Sequence, residues 1–201
     1  KNIFFAHFLA YVQKKLYLCR INKGFMEKSN QQPIYTESAI EFVTVAVQLC
    51  LYLEQIQQHE KADFIDKLLC MLPLLYLKAR LVNKPNAVLD GYPEKFVTEM
   101  EYDAVREQVA ALLGTDDAYL EVFVDDMRYS DEPITCFISE NIADIYQEIK
   151  DLACNYQTEN EDVMNDALLD CLDSFDQHWG QKLLNVLRAL HVLAQDKEYK
   201  E

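Results

Sequence analysis

A chain of 201 residues, half of them hydrophobic, is the size of one domain and can bury roughly 70% of its unfolded surface, so neither disorder nor a disulfide or metal staple is required. Four Gly and five Pro are too few for a sandwich or barrel with many tight turns. The formal charge of −15 is unevenly placed: five of the 19 Lys and Arg fall in residues 1–25 with no acid, which leaves 14 basic against 34 acidic residues for the rest. A body that acidic repels phosphate backbones, which excludes nucleic acid as a partner and leaves a basic protein as the class that charge favours.

Residues 1–25 read as a basic apolar extension outside the core. The run from Ile3 to Val12 is too short to span a bilayer, and Lys14-Lys15 follows it instead of a cleavage site. Upstream sequence is one reading of this segment, and an amphipathic membrane or partner arm is the other. Residues 26–35 are a polar lead-in, and residues 36–195 carry the helical domain, with 196–201 as a tail.

Thr36-Glu37-Ser38 supplies caps for a helix running to about Gln57. Its polar residues Glu41, Thr44, Gln48 and Gln55 form one narrow stripe, so the helix belongs in the middle of a bundle. Residues 61–82 form a second apolar helix, in which Pro73 predicts a kink or a division into two short helices. Breakers make residues 83–97 a loop. Thr98-Glu99-Met100-Glu101 matches a capping box, and Gly114 stops the helix that it opens. Thr115-Asp116-Asp117 then predicts another short helix, with Leu120, Phe123, Val124 and Met127 inward, and Tyr129 to Pro133 a turn.

Ser139 reads as the cap of the next helix, whose inward stripe is Ile138, Ile142, Ile145, Ile149, Leu152 and Tyr156, with Glu140, Asp144, Glu148 and Asp151 opposite. The last helix runs from about Glu161 to Gln195. Met164, Leu168, Cys171, Phe175, Trp179, Leu183, Leu187 and Leu190 make its core face, and Asp166, Asp170, Asp173, Gln177, Gln181, Asn185 and Arg188 a solvated polar stripe. The expected fold is all-α: a single-domain bundle of six or seven helices with a central apolar helix, a long C-terminal helix and no strand.

Phe42-Val43-Thr44-Val45-Ala46, Leu72-Pro73-Leu74-Leu75-Tyr76-Leu77-Lys78, Tyr119-Leu120-Glu121-Val122-Phe123, Ile138-Ser139-Glu140, Met164-Asn165-Asp166-Ala167-Leu168 and Trp179-Gly180-Gln181-Lys182-Leu183 form a set of segments. Together they resemble a bacterial family, the domain of unknown function numbered 5063. The resemblance spans residues 38–194 and implies a helical cytoplasmic protein. It brings no catalytic residue.

Six cysteines, never closer than 17 positions, form no zinc spacing. Cys50, Cys70, Cys136 and Cys171 read as buried hydrophobes and Cys154 as the more exposed thiol, in a reducing compartment. His59 reads as a partner of the last helical carbonyls. His178 and His191 point about 220° apart on an ideal helix and share no site. Asp144 with Glu148, and Asp166 with Asp170, lie one turn apart and are spaced for a shared divalent ion. No Glu-x-x-His accompanies them, and solvated helix faces are the plainer account.

Gly180 is the most informative position, because a glycine inside a helix costs roughly 1 kcal/mol relative to alanine. Close approach of another helix beside Trp179 explains it. A ligand cleft floored by Trp179 and edged by Gln181 and Asn185 is the sharper alternative. Trp179, Gly180, Gln181, Asn185 and Arg188 are therefore the candidate ligand or partner surface. No catalytic residue, metal ligand or cofactor is indicated, and neither nucleic acid nor membrane is expected as a partner. The expected role is a non-enzymatic binding or regulatory protein acting through an acidic helical surface, with a carboxylate-based, metal-assisted enzyme as the alternative.

Overall fold

The computed structural model describes residues 32–121 and 134–195, so the extension at 1–25 and the tail at 196–201 lie outside the described residues. Within the lead-in, a 3-10 turn at Pro33–Tyr35 buries Ile34. The Thr36 hydroxyl then accepts the Ala39 amide at 3.3 Å and opens α1 (Glu37–Leu53). Ten of its residues are buried, as expected of a helix that is apolar over most of its circumference. The β-branched run stays helical, and the Thr44 hydroxyl donates to the Ile40 carbonyl one turn back at 2.7 Å.

A short 3-10 turn at Ile56–Gln58 leads to α2 (Lys61–Leu81). This helix continues through Pro73 without dividing. Pro73 is exposed, so the helix loses its backbone bond on the solvent side, where water can take the place of the missing amide. Cys70 lies on that side too and is exposed, contrary to expectation. A segment that is apolar all round does not reveal which of its sides faces the core.

α3 (Glu99–Leu113) opens on the expected capping box, with Thr98 and Glu101 each serving the other's amide, and closes at Gly114 with φ 62°. Beyond Gly114 the structure departs from the sequence reading. Gly114–Asp117 is a 3-10 turn, and residues 118–121 form a strand in place of the predicted helix. Strand β1 (Ala118–Glu121) pairs antiparallel with β2 (Ile134–Phe137), Ala118 opposite Phe137 and Glu121 opposite Ile134. Leu120 is exposed as a result. Phe123, Val124, Met127 and the predicted turn at 129–133 lie outside the described residues.

The ladder explains why Thr115-Asp116-Asp117 resembles a helix start. Asp117 does cap a helix, but a distant one. Its carboxylate accepts the Ser139 amide at 2.7 Å and the Ser139 hydroxyl at 2.6 Å, at the first turn of α4 (Ile138–Tyr156). Ser139 therefore lies inside the helix and is not its cap; Phe137 holds the cap position.

The last elements are α5 (Glu161–Ser174), a π-helical turn at Phe175–Trp179, and α6 (Gly180–Gln195), one continuous helical run. Helix α4 buries its predicted isoleucine stripe and packs on α1, α3, α5 and α6, while α2 lies along α1 and α6. The π-turn inserts one residue and rotates α6 relative to α5, so Val186 is fully buried and Leu187 only partly. The result is one helical domain with a small two-stranded ladder. None of its described helices is long and apolar enough to cross a membrane.

Candidate binding surface

Trp179 and Gly180 belong to the interior. The Trp179 indole is 1% exposed, stacks on Phe42 (centroids 6.4 Å, planes 4° apart) and meets Phe175 edge-on at 4.6 Å. Its N–H donates to the Cys171 carbonyl at 3.0 Å, so it floors no open cleft. Gly180 is glycine for a local reason. A Cβ there would stand 2.4 Å from the Phe175 carbonyl oxygen and 3.0 Å from the Phe175 ring. The close neighbour is the preceding π-turn of the same helical run, not a crossing helix.

The other three candidates reach the surface. Gln181 donates to Asn185 at 3.1 Å, and Asn185 donates to Glu121 on β1. Asn185 and Arg188 line a cleft of about 220 Å³ with Leu120, Ile138, Ala189 and Val192. The Cys136 thiol also donates to Glu121, at 3.1 Å. Burial and that carboxylate push the thiol up to about 11, so it remains protonated at neutral pH and is no nucleophile.

The larger feature is the connection between Leu81 and Glu99, which has no regular structure. A loop of that length inside a compact domain is commonly functional, and its backbone groups need partners. They find them on two helices. Asp166 of α5 accepts the Val88 amide at 2.9 Å and the Leu89 amide at 2.8 Å, one on each oxygen. Asn165 donates to the Asn86 carbonyl at 2.7 Å. On α4, one oxygen of Asp151 accepts the Phe96 and Val97 amides at 2.7 and 2.9 Å, while Asn155 donates to the Glu94 carbonyl at 2.9 Å. All four side chains are buried.

Asp151 and Asp166 are thus not on solvated faces, as the sequence suggested. Burial raises Asp151 above the usual carboxylate range despite the Val97 and Phe96 amides. Burial pulls Asp166 the same way, but hydrogen bonds from Asn165, Leu89 and Val88 outweigh it and hold Asp166 below that range. The remaining acids of the stripe, Asp170 and Asp173, also serve the loop: Lys84 pairs with Asp173, and with Asp176 of the π-turn, at 2.7 Å each, and Lys95 with Asp170 at 2.9 Å.

The two carboxylate pairs have such partners as well. Asp144 accepts the Tyr102 hydroxyl at 2.9 Å and pairs with Lys182, and Glu148 faces Lys95 at 3.7 Å. His59 lies against the Tyr52 ring, centroids 4.6 Å apart.

Held from beneath, the loop presents apolar side chains to solvent. Tyr92 is 93% exposed and Val88 57%, with Leu89 and Phe96 also exposed, and Met100 in the first turn of α3 is exposed beside them in sequence. Leu89, Tyr92, Pro93, Phe96 and Val163 frame a hollow of about 240 Å³. Asp90 and Glu94 stand exposed on its rim, while Lys84 and Lys95 turn back to acids of α4, α5 and the π-turn. Sequence reading misses this surface because each anchoring Asp or Asn sits beside a core residue and resembles ordinary helix polarity. The one available signal is a long breaker-rich stretch that still contains Val88, Leu89, Tyr92 and Phe96.

The model of a family described as a domain of unknown function (DUF5063) matches residues 33–196. Among solved structures, the crystal structure of a protein from Bacteroides fragilis is similar to this chain, at 40% sequence identity and a TM-score of 0.74, covering 83% of this chain and 97% of that one. No curated protein matches.

Proposed function

The chain belongs to the family of the domain of unknown function DUF5063, and on that premise we propose that it is a non-enzymatic binding protein whose recognition surface is the anchored loop between α2 and α3. One observation carries this reading. Two buried carboxylates and two buried amides are committed to backbone groups of a loop whose own apolar side chains face water. Burying a carboxylate is expensive unless it is hydrogen-bonded. Holding Tyr92, Val88 and Leu89 rigid and exposed lowers the ordering cost of binding.

The rim of Asp90 and Glu94 matches a basic protein segment that brings an aliphatic or aromatic anchor to the hollow. The acidic stripe of α5 supports the loop and is not itself the contact surface. The cleft holding Asn185 and Arg188 is a second, smaller surface for the same role. A metal-assisted enzyme needs carboxylate oxygens free to bind an ion, and both oxygens of Asp166 already accept amides. The cytoplasm suits the five described free thiols.

The test is a set of lysine-rich peptides carrying leucine or phenylalanine anchors, with acidic counterparts, titrated into labelled protein and followed by NMR. Basic peptides are expected to shift the Val88, Leu89, Tyr92 and Phe96 signals, and Tyr92→Ala with Phe96→Ala is expected to weaken them about tenfold, about 1.4 kcal/mol. Shifts confined to other surfaces, or equal binding of the acidic set, would overturn the reading.

A further inference from the structure

We propose that the outer face of α2 is where two copies of this chain pair, antiparallel and about a twofold axis, an assembly independent of the loop surface. Cys70, Leu74, Leu77 and Leu81 are all exposed. Their spacing of four, three and four places them in one stripe directly opposite the buried Leu68, Leu72, Leu75 and Ala79. Leu77 and Leu81 are 52% and 54% exposed, and Leu184 of the adjacent α6 is exposed as well. A regular leucine stripe left in water is an interaction surface.

Charge selects the occupant. From residue 68 to the end of α2, and along the whole of α6, there is no Asp or Glu, in a chain that carries 34 acids. A basic partner finds no acid on these two stretches, and the flanking Glu41, Asp176 and Asp144 each already pair with a lysine or an arginine. An anionic lipid surface finds three of the four basic residues of these stretches already engaged: Lys78 pairs with Glu41, Arg80 with Asp176 and Lys182 with Asp144. A neutral, apolar, acid-free stripe suits its own copy, since it lets two acidic bodies meet without carboxylates facing each other.

The stripe is also self-complementary, as a twofold interface must be. Antiparallel pairing centred between Leu74 and Leu77 sets Leu74 against the partner's Leu77 and Cys70 against the partner's Leu81. Both pairings are generated by one axis.

Sedimentation equilibrium of the full chain at roughly 50 and 500 mM NaCl tests this. A monomer–dimer equilibrium is expected that tightens at least threefold at the higher salt, because screening relieves repulsion between acidic bodies while apolar contact remains. Leu77→Asp is expected to weaken dimerisation at least tenfold with unchanged helical circular dichroism. Leu120→Asp, on exposed β1, should leave it unaltered. Should Leu77→Asp fail to fold, Leu81→Cys answers instead: its new thiol faces the native Cys70 of the other copy, and a short bismaleimide should join two chains where it joins none in the wild type. A monomer at every concentration overturns the proposal, as does a Leu77→Asp dimer, or a monomer that sediments with anionic phosphatidylglycerol vesicles.

Discussion

At Gly180 the absence of a side chain is enforced by a single carbonyl. Contact at 2.4 Å is closer than any Cβ tolerates, and the obstacle is the Phe175 backbone oxygen, which cannot rotate away as a side chain would. Intrinsic propensity favours Gly180→Ala by about 1 kcal/mol, so a net loss measures the clash. Overpacking of this kind typically costs about 1–3 kcal/mol, and urea unfolding is expected to show a loss in that range. The extra residue of the π-turn must shift or disappear to admit the methyl, which would misalign Trp179 with Phe42. Asp173→Ala is the control: it removes one exposed partner of Lys84, and Asp176 remains, so the change should stay near 0–1 kcal/mol. A stabilised Gly180→Ala would mean that the π-turn relaxes without penalty.

At the scale of elements, the loop between α2 and α3 rests on two aspartates whose protonation acts in opposite directions. Burial raises Asp151, so the folded chain holds that proton to higher pH than the unfolded chain, whose value is about 3.9. Its contribution to stability is complete below the unfolded value and is lost as pH rises through the raised one. Asp166 is lowered, so its contribution is present above the unfolded value and lost as pH falls through the lowered one. Asp151→Asn keeps one oxygen for the Phe96 and Val97 amides and removes the buried charge, so it should be neutral or stabilising at pH 7. Asp166→Asn turns an amino group towards the Val88 or Leu89 amide and should cost about 1–3 kcal/mol there. Urea unfolding at pH 4.5 and 7 separates them, and equal losses at pH 7 would show that the two anchors act alike. These roles are hidden in the sequence for a physical reason: helical periodicity identifies the face of Asp151 and Asp166, but not whether water or a loop covers it.

Across the whole molecule, the legible features are those that local chemistry decides. The Thr36 and Thr98 caps, the Gly114 stop and the isoleucine stripe of α4 rest on neighbours within a few residues. The ladder of residues 118–121 with 134–137, the remote capping of Ser139 by Asp117 and the anchoring of the loop join distant segments, and no short window contains them. The π-turn is an intermediate case. Cys171, Phe175, Trp179 and Leu183 recur at steps of four where an α-helical stripe alternates three and four, so the inserted residue is written in the spacing, although the stretch reads as continuous helix.

The same scale settles how salt should act on stability. Thirty-four acids against 19 bases leave a formal charge of −15, and the mutual repulsion of this excess opposes compaction. The loop's ion pairs act in the other sense, since salt weakens Lys84–Asp173 and Lys95–Asp170. Exposed pairs of this kind contribute only about 0.2–1 kcal/mol each, and they are few beside the excess of acids. Net repulsion should therefore dominate, and raising NaCl from roughly 50 to 500 mM, which shortens the screening length several-fold, should raise the melting temperature by about 2–4 °C for each kcal/mol of repulsion relieved. Calorimetry on the Leu77→Asp variant keeps self-association out of the comparison. A fall in melting temperature would mean that the ion pairs under the loop outweigh the net charge, and that the loop is the weakest part of the fold.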